Sequence, residues 1–172
     1  MKKTFIVAFL IYSVAMMNLA HAVQGEPDGF GGIKWGAEMK PPLDLSPLPG
    51  AKDGESFYEK KGEPLNMGKA GIESIKYGFY KNKFFEVIIQ YKSASNFKKL
   101  KEMLEEEFGS GKRPNILFEQ YFWDWPNVNV DLYYNPNRDE GRIIYYYKPI
   151  EKQKTADKKD EENKKKAKRH MD

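Results

Sequence analysis

Hydrophobic and polar positions alternate along several stretches of the chain, with the two-residue period of strands half-buried in a sheet. Residues 72–80 place Ile75, Tyr77 and Phe79 on one side, and residues 84–91 return with Phe85, Val87, Ile89 and Tyr91 together. Lys81-Asn82-Lys83 between them reads as a tight turn, which makes this pair the clearest hairpin in the sequence. Upstream, residues 56–61 and 65–67 flank Gly62-Glu63-Pro64 and predict a short hairpin. Downstream, residues 117–123 form an aromatic strand that breaks at 124–127, where Pro126 sits. Residues 128–134 set Val128, Val130, Leu132 and Tyr134 against Asn129, Asp131 and Tyr133. A turn at 135–141 and a closing strand at 142–147 complete the pattern.

One segment changes period. Phe97, Leu100, Leu104 and Phe108 recur at helical spacing with Met103 beside them, while Lys98, Lys99, Lys101, Glu102, Glu105 and Glu106 fill the wet side. Ser95 or Ser93 supplies an N-cap, and Gly109 sits where a left-handed C-cap belongs. Acidic residues near the C-terminus oppose the helix dipole, so packing must hold this helix. The expected fold is α+β: an antiparallel sheet of about five to seven strands with one amphipathic helix packed on one face.

The ends of the chain differ from this middle. Lys2 and Lys3, an apolar stretch over residues 4–19, and small residues in Ala20-His21-Ala22 give residues 1–22 the pattern of a secretory signal peptide. Cleavage is expected between Ala22 and Val23. Residues 23–55 are rich in glycine and proline; within them residues 30–36 read as a short strand packing Phe30 and Trp35 onto the domain of residues 56–150. Residues 151–172 are a charged, low-complexity tail. Its pairs Asp160/Lys164, Glu161/Lys165 and Glu162/Lys166 suit a solvated helix, but it lacks an apolar stripe, so disorder or an unpacked helix is expected.

Charge and composition narrow the chemistry. The chain carries +4, yet the tail alone holds nine basic and six acidic side chains, and residues 23–150 hold eighteen and nineteen. A near-neutral exported domain is a poor candidate for nucleic acid. No later apolar segment approaches the span of about 20 residues that crosses a bilayer, so no stable membrane insertion is expected after cleavage. There is no cysteine, which excludes disulfides, a lipidated cysteine and thiolate chemistry. The two histidines are His21, in the leader, and His170, in the tail, so the domain lacks imidazole for a catalytic triad or a zinc site. No metal and no cofactor are expected.

Weaker patterns remain. Ser95-Asn96-Phe97-Lys98 matches a serine–lysine nucleophile motif, but its companion motifs are missing and a solvent-facing lysine explains it. Residues 135–141 superficially resemble a calcium loop, but the glycine falls one place late and Tyr146 stands where a bidentate glutamate belongs. Glu119, Asp124 and Asp131 are the candidates for a glycosidase-type carboxylate pair, which needs two acids about 5–10 Å apart across a cleft. The positive signal is aromatic: nine such residues crowd into positions 121–147 on both strand faces. One helix covers one face, so some of them must form an exposed surface or seat residues 23–55. Trp123, Trp125, Tyr133, Tyr145, Tyr146 and Tyr147 are the candidate contact surface.

The leader, Phe30-x-Gly-Ile33-x-Trp35-Gly36, and Tyr77-Gly-Phe-Tyr80 through the helix to Gly109 resemble a group of small exported proteins of Gram-negative bacteria with no assigned activity. The resemblance implies a fold and a periplasmic location, and no catalytic residue. The expected function is an exported, periplasmic binding or protein-interaction module without catalysis, its partner an envelope protein or glycan. The alternative is a small carboxylate-dependent hydrolase of cell-wall glycans.

Overall fold

The computed structural model describes residues 25–40 and 44–169. The expected leader, with its cut between Ala22 and Val23, lies outside them. Among the described residues the order is β1 (Gly29–Phe30), β2 (Ile33–Lys34), β3 (Leu45–Pro47), β4 (Glu55–Lys60), β5 (Asn66–Met67), β6 (Ala70–Gly71), β7 (Ser74–Tyr80) and β8 (Lys83–Lys92). Then come α1 (Ala94–Phe108), β9 (Glu119–Asp124), β10 (Val128–Asn135), β11 (Glu140–Tyr147) and α2 (Lys148–Arg169). Seven strands form one antiparallel sheet in the order β3-β4-β7-β8-β11-β10-β9. The fold is α+β, with its sheet at the upper end of the expected size.

The β7–β8 hairpin forms as its alternation requires, pairing Ile75 with Ile89 and Tyr77 with Val87. Lys81 and Asn82 both take positive φ, 46° and 67°, the two-residue turn whose twist matches that of the flanking strands. The register shifts between Gly78 and Phe79, so that Gly78 pairs with Glu86 while Phe79 pairs with Phe84. Phe85 is the extra residue of this bulge. It therefore leaves the row of Val87, Ile89 and Tyr91 in which strict alternation placed it, and Phe84 takes that side. The expected 56–61/65–67 hairpin is also replaced: β4 pairs with β3 and β7, whereas β5 pairs with β6.

The main core lies on the α1 side of the sheet. Leu100, Leu104 and Phe108 are buried there against Tyr77, Val87, Ile89, Val130, Leu132, Ile143 and Tyr145. Ser93, not Ser95, caps the helix: its Oγ accepts from the Asn96 N–H at 3.2 Å. At the other end the Gly109 N–H donates to the Glu105 carbonyl at 2.9 Å with φ 79°. The β5/β6 and β1/β2 ladders also lie on this side, with Ala70 of β6 buried in the same core. Trp35 stacks on Phe84 at 4.8 Å and Phe30 lies 5.2 Å from Tyr145.

The second helix departs from expectation. α2 begins three residues before the expected tail and packs on the opposite face of the sheet. Ile150 is buried against Tyr80 and Phe85. Lys154 lies over the Phe85 ring and pairs with Glu55 and Glu151 at 3.1 and 3.3 Å. Asp157 accepts from the Tyr80 hydroxyl at 2.8 Å and from Lys81 at 2.7 Å. The expected unpacked helix is thus corrected for residues 151–157, which dock by polar contacts beyond the Ile150 anchor, whereas residues 158–167 are exposed. Among the described residues no helix is long and apolar enough to cross a membrane.

Candidate interaction surface

The six candidate aromatic residues do not form one surface, because strand parity divides them. Trp123 is 4% exposed and donates its indole N–H to the Gly109 carbonyl at 2.7 Å. A Cβ at Gly111 would stand 2.8 Å from that indole, so the loop after α1 closes directly over it. Tyr145 is 3% exposed beneath Phe30, and burial pushes its phenol pKa up. Trp125 meets Phe108 edge-on at 5.0 Å, and Tyr147 stacks under Trp35 at 6.4 Å. These four residues belong to the core or seat residues 25–40; the expectation that they form a contact surface is corrected for Trp123 and Tyr145.

Tyr133 and Tyr146 face the other way. The pairing register lays three rows across that face. One runs Asp124, Asn129, Tyr146, Glu86; the next runs Phe122, Asp131, Ile144, Ile88; the third runs Gln120, Tyr133, Arg142, Gln90. Helix α2 covers the corner at Tyr80 and Phe85, and Phe122, Tyr133, Ile144, Tyr146 and Ile88 are left half-buried. Polar groups are interleaved among them. Gln120 donates to both Asp131 oxygens at 3.2 and 3.0 Å, and the Arg142 guanidinium lies 5.6 Å from the Tyr133 ring. Ile88, Ile144 and Phe122 were not singled out in the sequence as surface residues. Their signal is there, in the same two-residue period read on the opposite parity.

The acid candidates separate in the same way. Glu119 lies with Tyr121 and Trp123 on the α1 side and pairs with Arg113 at 3.0 Å. Asp124 and Asp131 share the opposite face as diagonal neighbours across β9 and β10, about 7–8 Å apart by sheet geometry. Lys148 bonds to Asp124 and holds its carboxyl below the usual range. Burial raises Asp131 against the Gln120 amide and Arg142, which act in the opposite direction. Glu86, in the same face under α2, is pushed up to about 7 by burial; Glu151 and Glu55 add to the shift, and Lys154 and Arg142 oppose it.

The weaker motifs have structural explanations. Ser95 and Lys98 are exposed on the first turn of α1, with Lys98 4.0 Å from Glu102. In the 135–141 turn, Asp139 accepts from the Tyr134 hydroxyl at 2.6 Å and Asn135 Oδ1 accepts from the Asn137 N–H at 3.0 Å. Among the described residues no group of three or more metal-ligating side chains converges. Comparison with known proteins finds no matching family model, no matching curated protein and no matching solved structure.

Proposed function

We propose that this protein is an exported, periplasmic binding or interaction module that acts without catalysis through the open face of its sheet. The observation that carries the reading is the three-row face around Phe122, Tyr133, Ile144 and Tyr146. There, aromatic and aliphatic side chains stand partly exposed, each with less than half of its surface open to solvent, between amide, carboxylate and guanidinium groups. A face of that kind suits stacking combined with hydrogen bonding to an envelope protein or glycan. Export rests on the leader pattern of residues 1–22 and on the resemblance to small exported proteins of Gram-negative bacteria. The test is affinity capture from envelope extract with the wild-type chain and with a Phe122→Ala/Tyr146→Ala variant. The double variant is expected to lose the captured partner. Equal capture by both would place the contact elsewhere.

One observation favours a second reading, the glycan hydrolase. Asp124 and Asp131 lie diagonally on one face with their acidities pushed in opposite directions, the division of labour an acid–base pair needs. If it holds, the wild-type chain releases reducing ends from cell-wall glycan and Asp131→Asn does not. No release by the wild type removes this reading.

A further inference from the structure

The loop between α1 and β9 ends in three consecutive large apolar side chains that face solvent. Ile116 is 80% exposed, Leu117 82% and Phe118 53%. A single exposed leucine is ordinary, but three such residues in a row on one tip are not. Nor is the tip slack chain. Arg113 folds over it from one side, donating from Nε to the Phe118 carbonyl at 3.0 Å. Its Nη2 donates to the Ile116 carbonyl at 2.9 Å and to Glu119 at 3.0 Å. Asn115 holds the other side: its Oδ1 accepts from the Leu117 N–H at 2.9 Å and its carbonyl from the Phe118 N–H at 3.3 Å. The root is pinned by Lys112, whose backbone exchanges hydrogen bonds with Phe122 of β9 at 2.8 and 2.9 Å.

We propose that residues 116–118 insert into the interfacial layer of a lipid bilayer bearing anionic headgroups. Two features of the tip select a bilayer over a protein groove. Four of its six backbone polar groups are satisfied within the protein, which lowers the cost of entering the interfacial layer, where the other two can still meet water or headgroups. Lys112 at the root of the loop is exposed and is the cation next to the tip that can meet lipid phosphates, since the Arg113 guanidinium is already paired with Glu119 at 3.0 Å.

The apolar stretch at residues 4–19 can carry the full chain to a membrane unaided, so the readout must be local to the tip. The absence of cysteine makes this direct. A Leu117→Cys chain carries an environment-sensitive fluorophore at the tip, and a Lys159→Cys chain carries it on the exposed part of α2. On vesicles of phosphatidylethanolamine and phosphatidylglycerol, the label at position 117 is expected to shift to the blue and brighten several-fold, while the label at 159 stays aqueous. Adding Ile116→Ser and Phe118→Ser should abolish the shift and leave the near-ultraviolet dichroism unchanged, since both side chains are exposed. An aqueous signal at 117 on vesicles that do bind the chain overturns the proposal. So does a shift that survives the double serine variant, or one that appears only with added protein.

Discussion

Lys154 of α2 and Glu55 of β4 form an ion pair at 3.1 Å, with side chains 14% and 19% exposed. It ties the C-terminal helix to an outer strand of the sheet, far from the point where the helix starts. Glu151 and Glu86 lie close to the same ammonium, so this one cation faces three carboxylates. Lys154→Ala leaves Glu55 with only the more distant and more exposed Lys158, at 3.6 Å. The expected loss is about 1–2 kcal/mol, because a largely buried pair is broken and its replacement is partly solvated. It is read as a lower urea midpoint, accompanied by faster amide exchange in the first turns of α2.

Glu86 makes the same region pH-dependent. Its carboxyl titrates at about 7 in the folded protein and 4.5 otherwise. Between those values the folded state retains a proton that the unfolded chain has released. The contribution of this group to stability therefore falls as pH rises from about 4.5 to 7 and is level beyond, with an upper bound of about 3–4 kcal/mol. Asp157 and Asp124 act in the opposite sense: their pKa values are lowered, so their contribution is lost only as the solution becomes more acid. Glu86→Gln should reduce the slope between pH 4.5 and 7, leaving the part due to Asp131 and Glu107, which burial also raises, and leave the acid limb in place, as measured by urea unfolding across pH.

Gly141 is fixed by what passes beside it. A Cβ there would lie 2.3 Å from Tyr91 Cζ, 2.4 Å from its hydroxyl oxygen and 2.6 Å from the Tyr133 carbonyl. That hydroxyl donates to the same carbonyl at 2.9 Å. Gly141→Ala must displace a buried aromatic ring, at an expected cost of about 2–4 kcal/mol. Tyr91→Phe, which removes only the hydrogen bond, should cost about 1 kcal/mol. Chemical denaturation of the two variants checks the order.

Aromatic substitutions separate the two faces. Trp123→Ala opens a cavity under α1 and should cost about 3–5 kcal/mol. Tyr146→Ala, on the half-exposed face, should cost about 1 kcal/mol or less. Trp125→Ala loses its contact with Phe108 and is therefore an unsuitable binding probe. Thermal unfolding of Trp123→Ala and Tyr146→Ala beside the capture assay distinguishes a lost surface from a lost fold.

Much of the architecture is legible before any coordinates. The β7–β8 hairpin, the buried stripe of α1 and the strand at 128–134 follow from periodicity alone. Two things are not. The bulge at Phe85 depends on Gly78, whose lack of a side chain leaves room for the Phe57 ring; a Cβ would stand 3.0 Å from it. The docking of α2 depends on residues that look solvated: Lys154 and Asp157 belong to a charged tail, and only their partners Glu55, Tyr80 and Lys81 give them a place. Long-range pairing of polar groups leaves no period to read. The aromatic candidates were legible as a cluster, but deciding which would be buried required knowing which face carries α1.

β11 is the last strand in the chain, yet it lies between β8 and β10. The sheet is thus two meanders joined along a single seam, and the joining strand is made after the two it links. A chain emerging N-terminus first holds β8 and β10 as two bare edges until residues 140–147 arrive to zip them together. Interrupting synthesis before that point leaves both edges free to recruit strands from other molecules, so the order of manufacture sets the interval in which this fold is most vulnerable.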